Sequence, residues 1–304
     1  MRRRTAVSLI FAAILVSVVI AFFVPRDAGL PLVPRGGSVG VIRVEGVIMS
    51  GQSGSSLFGA TAGSDDIMAL IDQAVTDPQV RAVVLRVNSP GGSAAGSQEI
   101  AEGLAALKAA GKPVVVSMGD VAASGGYWIA AGADRIVANA ATFTGSIGVI
   151  MELQNFEEMY RKLGIDFEVI KSGPLKDMGS DARPLTGQER ALLQAMVDDV
   201  FDQFVEVVAS GRNLDRAAVL ELADGRVFTG RQAQAVGLVD DLGSFSLALD
   251  TAAELAGLGQ DYLVKELARR STLQRLLAGL EGALGVLGSP ARLTIFKHYL
   301  SPAR

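Results

Sequence analysis

The run Pro113-Val114-Val115-Val116-Ser117-Met118, followed shortly by Ala122-Ala123-Ser124-Gly125-Gly126-Tyr127-Trp128-Ile129-Ala130, sets a β-rich segment ahead of a serine, two glycines and an apolar helical stretch. Strand, tight turn and helix form the repeating unit of parallel α/β folds, because parallel neighbours need crossover helices. The unit recurs on both sides. Upstream, residues 39–48 and 81–87 read as strands, separated by a Gly/Ser loop at 51–63 and a helix opening near Ser64. After Ser89-Pro90-Gly91-Gly92 a helix runs over 93–110. Downstream, strands are predicted at 135–139, 146–151 and 167–171, and helices at 156–163, 188–210 (capped by Thr186), 215–223, 231–236 and 246–255. The tail 262–300 carries a helical apolar pattern with Arg269, Arg270 and Arg275 on it, which fits a packing helix, an oligomer contact or a membrane-surface segment.

The ends of the 304-residue chain differ from its middle. Residues 5–24 contain no charge and follow Arg2, Arg3 and Arg4. At about 1.5 Å per residue a helix of that length spans roughly 30 Å, the hydrocarbon thickness of a bilayer. A cleaved signal would have a shorter apolar core and a small-x-small site, whereas Phe22-Phe23-Val24-Pro25 stands here, so a retained anchor is expected. The arginines place its start in the cytoplasm and the rest outside. The expected organisation is a cytoplasmic stub and transmembrane anchor at 1–24, a linker at 25–38, a catalytic domain at 39–260 and a helical tail at 261–304.

Composition narrows the chemistry. The chain has no cysteine and one histidine, His298, which excludes disulfides, thiolate nucleophiles and zinc ribbons and leaves no imidazole for a Ser-His-Asp triad. No metal and no cofactor is expected. Setting aside the three N-terminal arginines leaves 25 of the 28 basic side chains against 32 acidic ones, an unfavourable balance for nucleic acid. No GxxxxGK[ST] loop occurs.

What remains is Ser124 at a strand-to-helix corner. As a simple N-cap it would be ordinary. As a nucleophile it gains the unpaired N–H groups of its own helix start, with Gly91 or Gly92 donating from the neighbouring loop. Its base must then be an amine, and lysine serves if its surroundings lower its pKa from about 10.4 toward ~7–8. Lys171 and Lys176, on the polar Gly/Pro-containing stretch 171–186, are the candidates.

The residues 122–130, Ala133-Asp134-Arg135-Ile136, Thr144-Gly145-Ser146-Ile147-Gly148-Val149, the Asn88–Gly92 turn, the stretch from Lys171 to Ser180 and Gly225-Arg226-Val227-Phe228-Thr229-Gly230 together resemble the signal peptide peptidase A family of serine/lysine peptidases, over about 39–255. The resemblance implies a Clp/crotonase-like fold, Ser124 as nucleophile, Lys176 as general base, Ser146 orienting the lysine, and Gly92 and Gly125 as oxyanion donors. It also implies a homo-oligomer, since the chain resembles the short, single-domain members, and leaves open whether Ser and Lys of one site come from one subunit or from two. The expected activity is a membrane-anchored serine endopeptidase acting on cleaved signal peptides and other apolar peptides at the outer face of the cytoplasmic membrane. A stomatin-associated membrane protease, a crotonase-like acyl-CoA enzyme and a non-catalytic scaffold are the alternatives.

Overall fold

The computed structural model describes residues 37–56 and 59–268. The predicted anchor, nearly all of the linker and the tail beyond residue 268, with His298, lie outside those residues. No described helix is long and apolar enough to cross a membrane.

In chain order, β1 (Ser38–Glu45) breaks at Gly46 into β2 (Val47–Met49), which joins β3 (Gly54–Ser56) and β4 (Gly59–Gly63) in a small three-stranded sheet ahead of α1 (Ser64–Thr76). Then follow β5 (Val80–Ser89), α2 (Ala94–Ala109), β6 (Val114–Ala123), α3 (Gly125–Ala131), β7 (Arg135–Ala138) and β8 (Phe143–Gly145). The second half contributes α4 (Glu157–Lys162), α5 (Gly187–Arg212), α6 (Arg216–Leu222), β9 (Val227–Thr229), α7 (Gly230–Ala235), β10 (Asp241–Leu242), α8 (Phe245–Leu255) and β11 (Leu263–Glu266).

The main sheet is mixed only at one corner. Its order β10-β7-β6-β5-β1-β11 is parallel throughout, and β9 alone runs antiparallel, against β8. Both faces are covered, so the central strands are almost wholly apolar. Alternate residues of β1 divide between them. Ile42 and Val44 join the larger core with Leu85, Val87, Val116 and Met118, under helices that include α2, α3 and α5. Val39 and Val41 join the smaller one, covered by Ala248, Leu249 and Ala252 of α8.

What positions the site is the division of β6. Its first half pairs with β7 (Val115–Ser117 against Arg135–Val137), and its last three residues pair with β8 (Val121–Ala123 against Phe143–Gly145). β5 flanks the other side, with a register shift just before Ser89 pairs with Ala122. The ends of β5, β6 and β8 therefore meet, bringing residues 89–93, 124–126 and 145–148 together.

Several expected elements differ. The strand expected over 39–48 is two strands in two sheets, and the expected loop 51–63 contains β3 and β4. The strands expected at 146–151 and 167–171 do not form: β8 stops at Gly145, and 165–171 pairs with no strand among the described residues. The expected helical tail begins instead with β11, which completes the open edge of β1.

Candidate active site

Ser124 sits between β6 and α3 at φ 52°, ψ −122°, a left-handed conformation that costs a non-glycine residue of order 1–3 kcal/mol. Three backbone hydrogen bonds hold it there. Its N–H donates to Gly145 O (2.8 Å), and its carbonyl accepts from the N–H groups of Tyr127 and Trp128 (both 2.9 Å). The seven residues of α3 are all buried, and Tyr127 Oη donates to Leu238 O at 2.8 Å. So short a helix has little macrodipole; its usable feature is the unpaired first-turn N–H of Gly125.

Gly92 faces that N–H from the β5 side. Ile48 N donates to Gly91 O (2.9 Å) and Ser93 N to Ile48 O (2.8 Å), which turns the intervening Gly92 N–H away from β2. Neither Gly92 nor Gly125 donates its N–H to another described residue. The two backbones are in contact: a Cβ on Gly125 would stand 3.3 Å from Gly92 N and 2.4 Å from Ser97 Oγ, and one on Gly92, at φ 151°, would lie 2.1 Å from Ile48 O. Both positions therefore require glycine for close approach.

Ser146 closes the third side. It too has a positive φ, 50°, and its N–H donates to Arg226 O at 2.9 Å. Ser124, Gly92, Gly125 and Ser146 line one cleft of about 690 Å³, whose walls include Trp128, Phe201, Phe204, Val149 and Ile150. Trp128 and Phe204 pack with ring centroids 4.9 Å apart. At the rim, the Arg226 guanidinium bonds to Asp224 and holds its carboxyl at about 2.

The lysines lie elsewhere. Neither Lys171 nor Lys176 lines this cleft. Both belong to the stretch between α4 and α5, but their surroundings differ. Lys171 Nζ donates to Asp177 Oδ1 (2.5 Å) and Pro174 O (3.2 Å), whereas the exposed Lys176 amine has no hydrogen-bond or ion-pair partner among the described residues. One copy of the chain thus assembles Ser124, Ser146, Gly92 and Gly125, and does not add Lys176.

Sequence reasoning did not single out the charges behind that stretch. Arg183 reaches Asp177 through Nε (3.1 Å) and Nη2 (2.9 Å), and Glu189 through Nη1 (2.9 Å) and Nη2 (2.5 Å). The guanidinium, with Lys171, holds the Asp177 carboxyl well below the usual range, and Arg183 together with the Thr186 N–H lowers Glu189 to about 2. Thr186 and Glu189 form a reciprocal capping box at the start of α5. Its Thr-x-x-Glu spacing was the available signal.

A parallel α/β sheet holding a strained corner serine opposite two open N–H groups, in a cleft partly walled by aromatic side chains, has the build of a serine hydrolase. The model of "Peptidase family S49" matches residues 106–259, and the chain belongs to that family of peptidases. The chain is 45% identical over 221 residues to a putative protease, slr0021, of Synechocystis sp., covering 72% of this chain and 79% of that one. It is 46% identical over 175 residues to a putative signal peptide peptidase SppA of Enterococcus faecium, covering 58% and 51%. It is 40% identical over 228 residues to protease 4 of Haemophilus influenzae, where it spans 36% of the relative's length and 75% of its own. Among solved structures, the membrane-bound stomatin-specific protease 1510-N shares the fold at a TM-score of 0.50 and 15% identity, covering 77% of this chain and 99% of that one.

Proposed function

We propose that this S49 chain is a membrane-anchored serine endopeptidase that works through a Ser124/Lys176 dyad and degrades cleaved signal peptides and other apolar peptides at the outer face of the cytoplasmic membrane. The observation that carries the reading is the corner itself: Ser124 at φ 52° beside the open N–H groups of Gly92 and Gly125, in one cleft. The neutral amine of Lys176 takes the Ser124 proton as Oγ attacks a peptide carbonyl, and the two glycine N–H groups receive the oxyanion. The protonated lysine gives its proton to the leaving amine. Water, activated by the same lysine, then hydrolyses the acyl ester. Ser146, on the same cleft, orients the lysine amine.

The contrast between the two lysines supports Lys176. Lys171 is already engaged by Asp177 and the Pro174 carbonyl, whereas the Lys176 amine is open. Because Lys176 does not line the cleft holding Ser124, the reading draws the two members of one dyad from neighbouring copies of the chain. The exposed apolar side chains of the 149–171 stretch support such a contact, Ile150 at 89% and Ile170 at 94% exposure among them. The apolar part of the cleft wall, Trp128, Val149, Ile150, Phe201 and Phe204, fits apolar peptides, and one relative's name, signal peptide peptidase, supplies the substrate class. The uncharged run at residues 5–24 supplies the anchor.

The test is labelling of the assembled full chain by a serine-reactive phosphonate. Wild type takes one label, at Ser124, and Ser124→Ala takes none; equal labelling of the two would remove Ser124 as nucleophile.

A further inference from the structure

We propose that Arg183 is a positioning residue for the hydrolysis: it fastens the turn carrying Lys176 to the start of α5, the helix whose later turns wall the Ser124 cleft. The inference rests on the dyad reading above and adds to it the device that places the base.

The device is needed because residues 163–186 contain neither helix nor strand. Local bonds shape the turn: Lys176 N donates to Gly173 O (3.2 Å), Met178 N to Leu175 O (3.1 Å) and Ser180 N to Asp177 O (3.0 Å). They give it a form, and Asp181 ties its end to the α4 region, its carbonyl accepting from Phe156 N (2.6 Å) and its carboxylate from Tyr160 Oη (2.7 Å), but these bonds do not reach α5. Among the described residues, the carboxylate of Asp177 is the only side chain of the 173–180 turn that hydrogen-bonds beyond residue 182, and its partner there is Arg183. Lys176 is the residue immediately before that carboxylate.

On its other side Arg183 holds Glu189, whose side chain is only 2% exposed and whose carboxylate also accepts from Thr186 N at 2.8 Å. Glu189 belongs to the first turn of α5. Val197, Phe201 and Phe204, further along the same helix, line the cleft. The chain of contacts is therefore continuous from the turn bearing Lys176 to the wall beside Ser124. A planar guanidinium can meet two carboxylates at once through paired N–H groups, which an ammonium cannot match. Asp177 also accepts from Lys171 Nζ, so the same carboxylate that fixes the turn engages the second lysine.

The experiment uses the full chain and a fluorogenic apolar peptide. Arg183→Gln is expected to lower kcat about 100-fold, the scale of a displacement of roughly 1 Å at a reacting group, with KM within about twofold. The acid limb of its pH–kcat profile moves to higher pH. Arg183→Lys falls between it and wild type, and Asp177→Asn combined with Arg183→Gln loses no more than Arg183→Gln alone, as expected for members of one link. Activity is normalised to the phosphonate-titratable serine, and assembled mass and melting temperature are measured alongside. An Arg183→Gln protein with unchanged kcat and pH profile overturns the proposal. So does a loss that follows only assembled mass or melting temperature while the pH profile stays that of wild type. Lys176→Ala is run in parallel: full activity there overturns the dyad itself, whereas an inactive Lys176→Ala beside an unaltered Arg183→Gln overturns the positioning role alone.

Discussion

Two serines with positive φ, Ser124 and Ser146, stand at the ends of adjacent parallel strands, and the N–H of the first is held by the residue before the second. Strain of that kind persists only where surrounding bonds over-determine it, and here buried α3 and the Gly145 carbonyl do so. Ser124→Ala is expected to cut peptide turnover by at least about 10³-fold while leaving the melting temperature nearly unchanged, measured on the same preparation. Gly92→Ala is a different kind of lesion: its Cβ would meet Ile48 O at 2.1 Å, so the backbone must move and the N–H with it. A loss of ~10²–10³ in kcat is expected, the range for removing one oxyanion donor, together with a lower melting temperature. Lys171→Ala should keep most of the turnover that Lys176→Ala loses, a comparison of two steady-state assays. At this scale the sequence was informative where a residue type had few rivals: with no thiol and a single histidine near the C-terminus, serine and amine were the readiest pair. The positive φ of Ser146 and the link through Arg183 were not legible, since both depend on residues brought in from β9 and α5.

Among the elements, α5 does the most to shape the site, and its start is where acid should act first. Asp177 and Glu189 both have carboxyls lowered by Arg183, so their contribution to stability is full above their unfolded values of about 4 and is lost as pH falls toward 2. Backbone amide NMR signals of residues 171–189 across that window should show the region loosening; signals unchanged from pH 5 to 2 would contradict this. Thr186→Ala removes half of the capping box, an expected cost of about 1 kcal/mol. Helix positions were readable because caps such as Thr186 and Ser93 are local chemistry. Strands were readable where both faces are buried, as in β5 and β6. The expected strands at 146–151 and 167–171 failed because alternating apolar residues also describe chain that finds no partner within one copy. β11 was missed because its pairing with β1 joins residues more than two hundred positions apart.

For the whole molecule, the proposed dyad makes assembly a condition of activity, because Lys176 does not line the cleft that holds Ser124. Co-assembled Ser124→Ala and Lys176→Ala chains, each inactive alone, are expected to recover measurable turnover, because some sites then combine an intact serine with an intact lysine. No recovery in mixed assemblies confirmed by mass would place both groups in one copy. The divided strand β6 has a consequence of its own for how the molecule breathes. β8 and β9 are joined to the body of the sheet along three residues of β6, whereas β5 runs beside β6 for most of its length. Amide deuteration should therefore proceed along a gradient: the β8–β9 flap, with Ser146 at its tip, exchanges through small local openings, while β5 and the lower half of β6 exchange only when the domain unfolds.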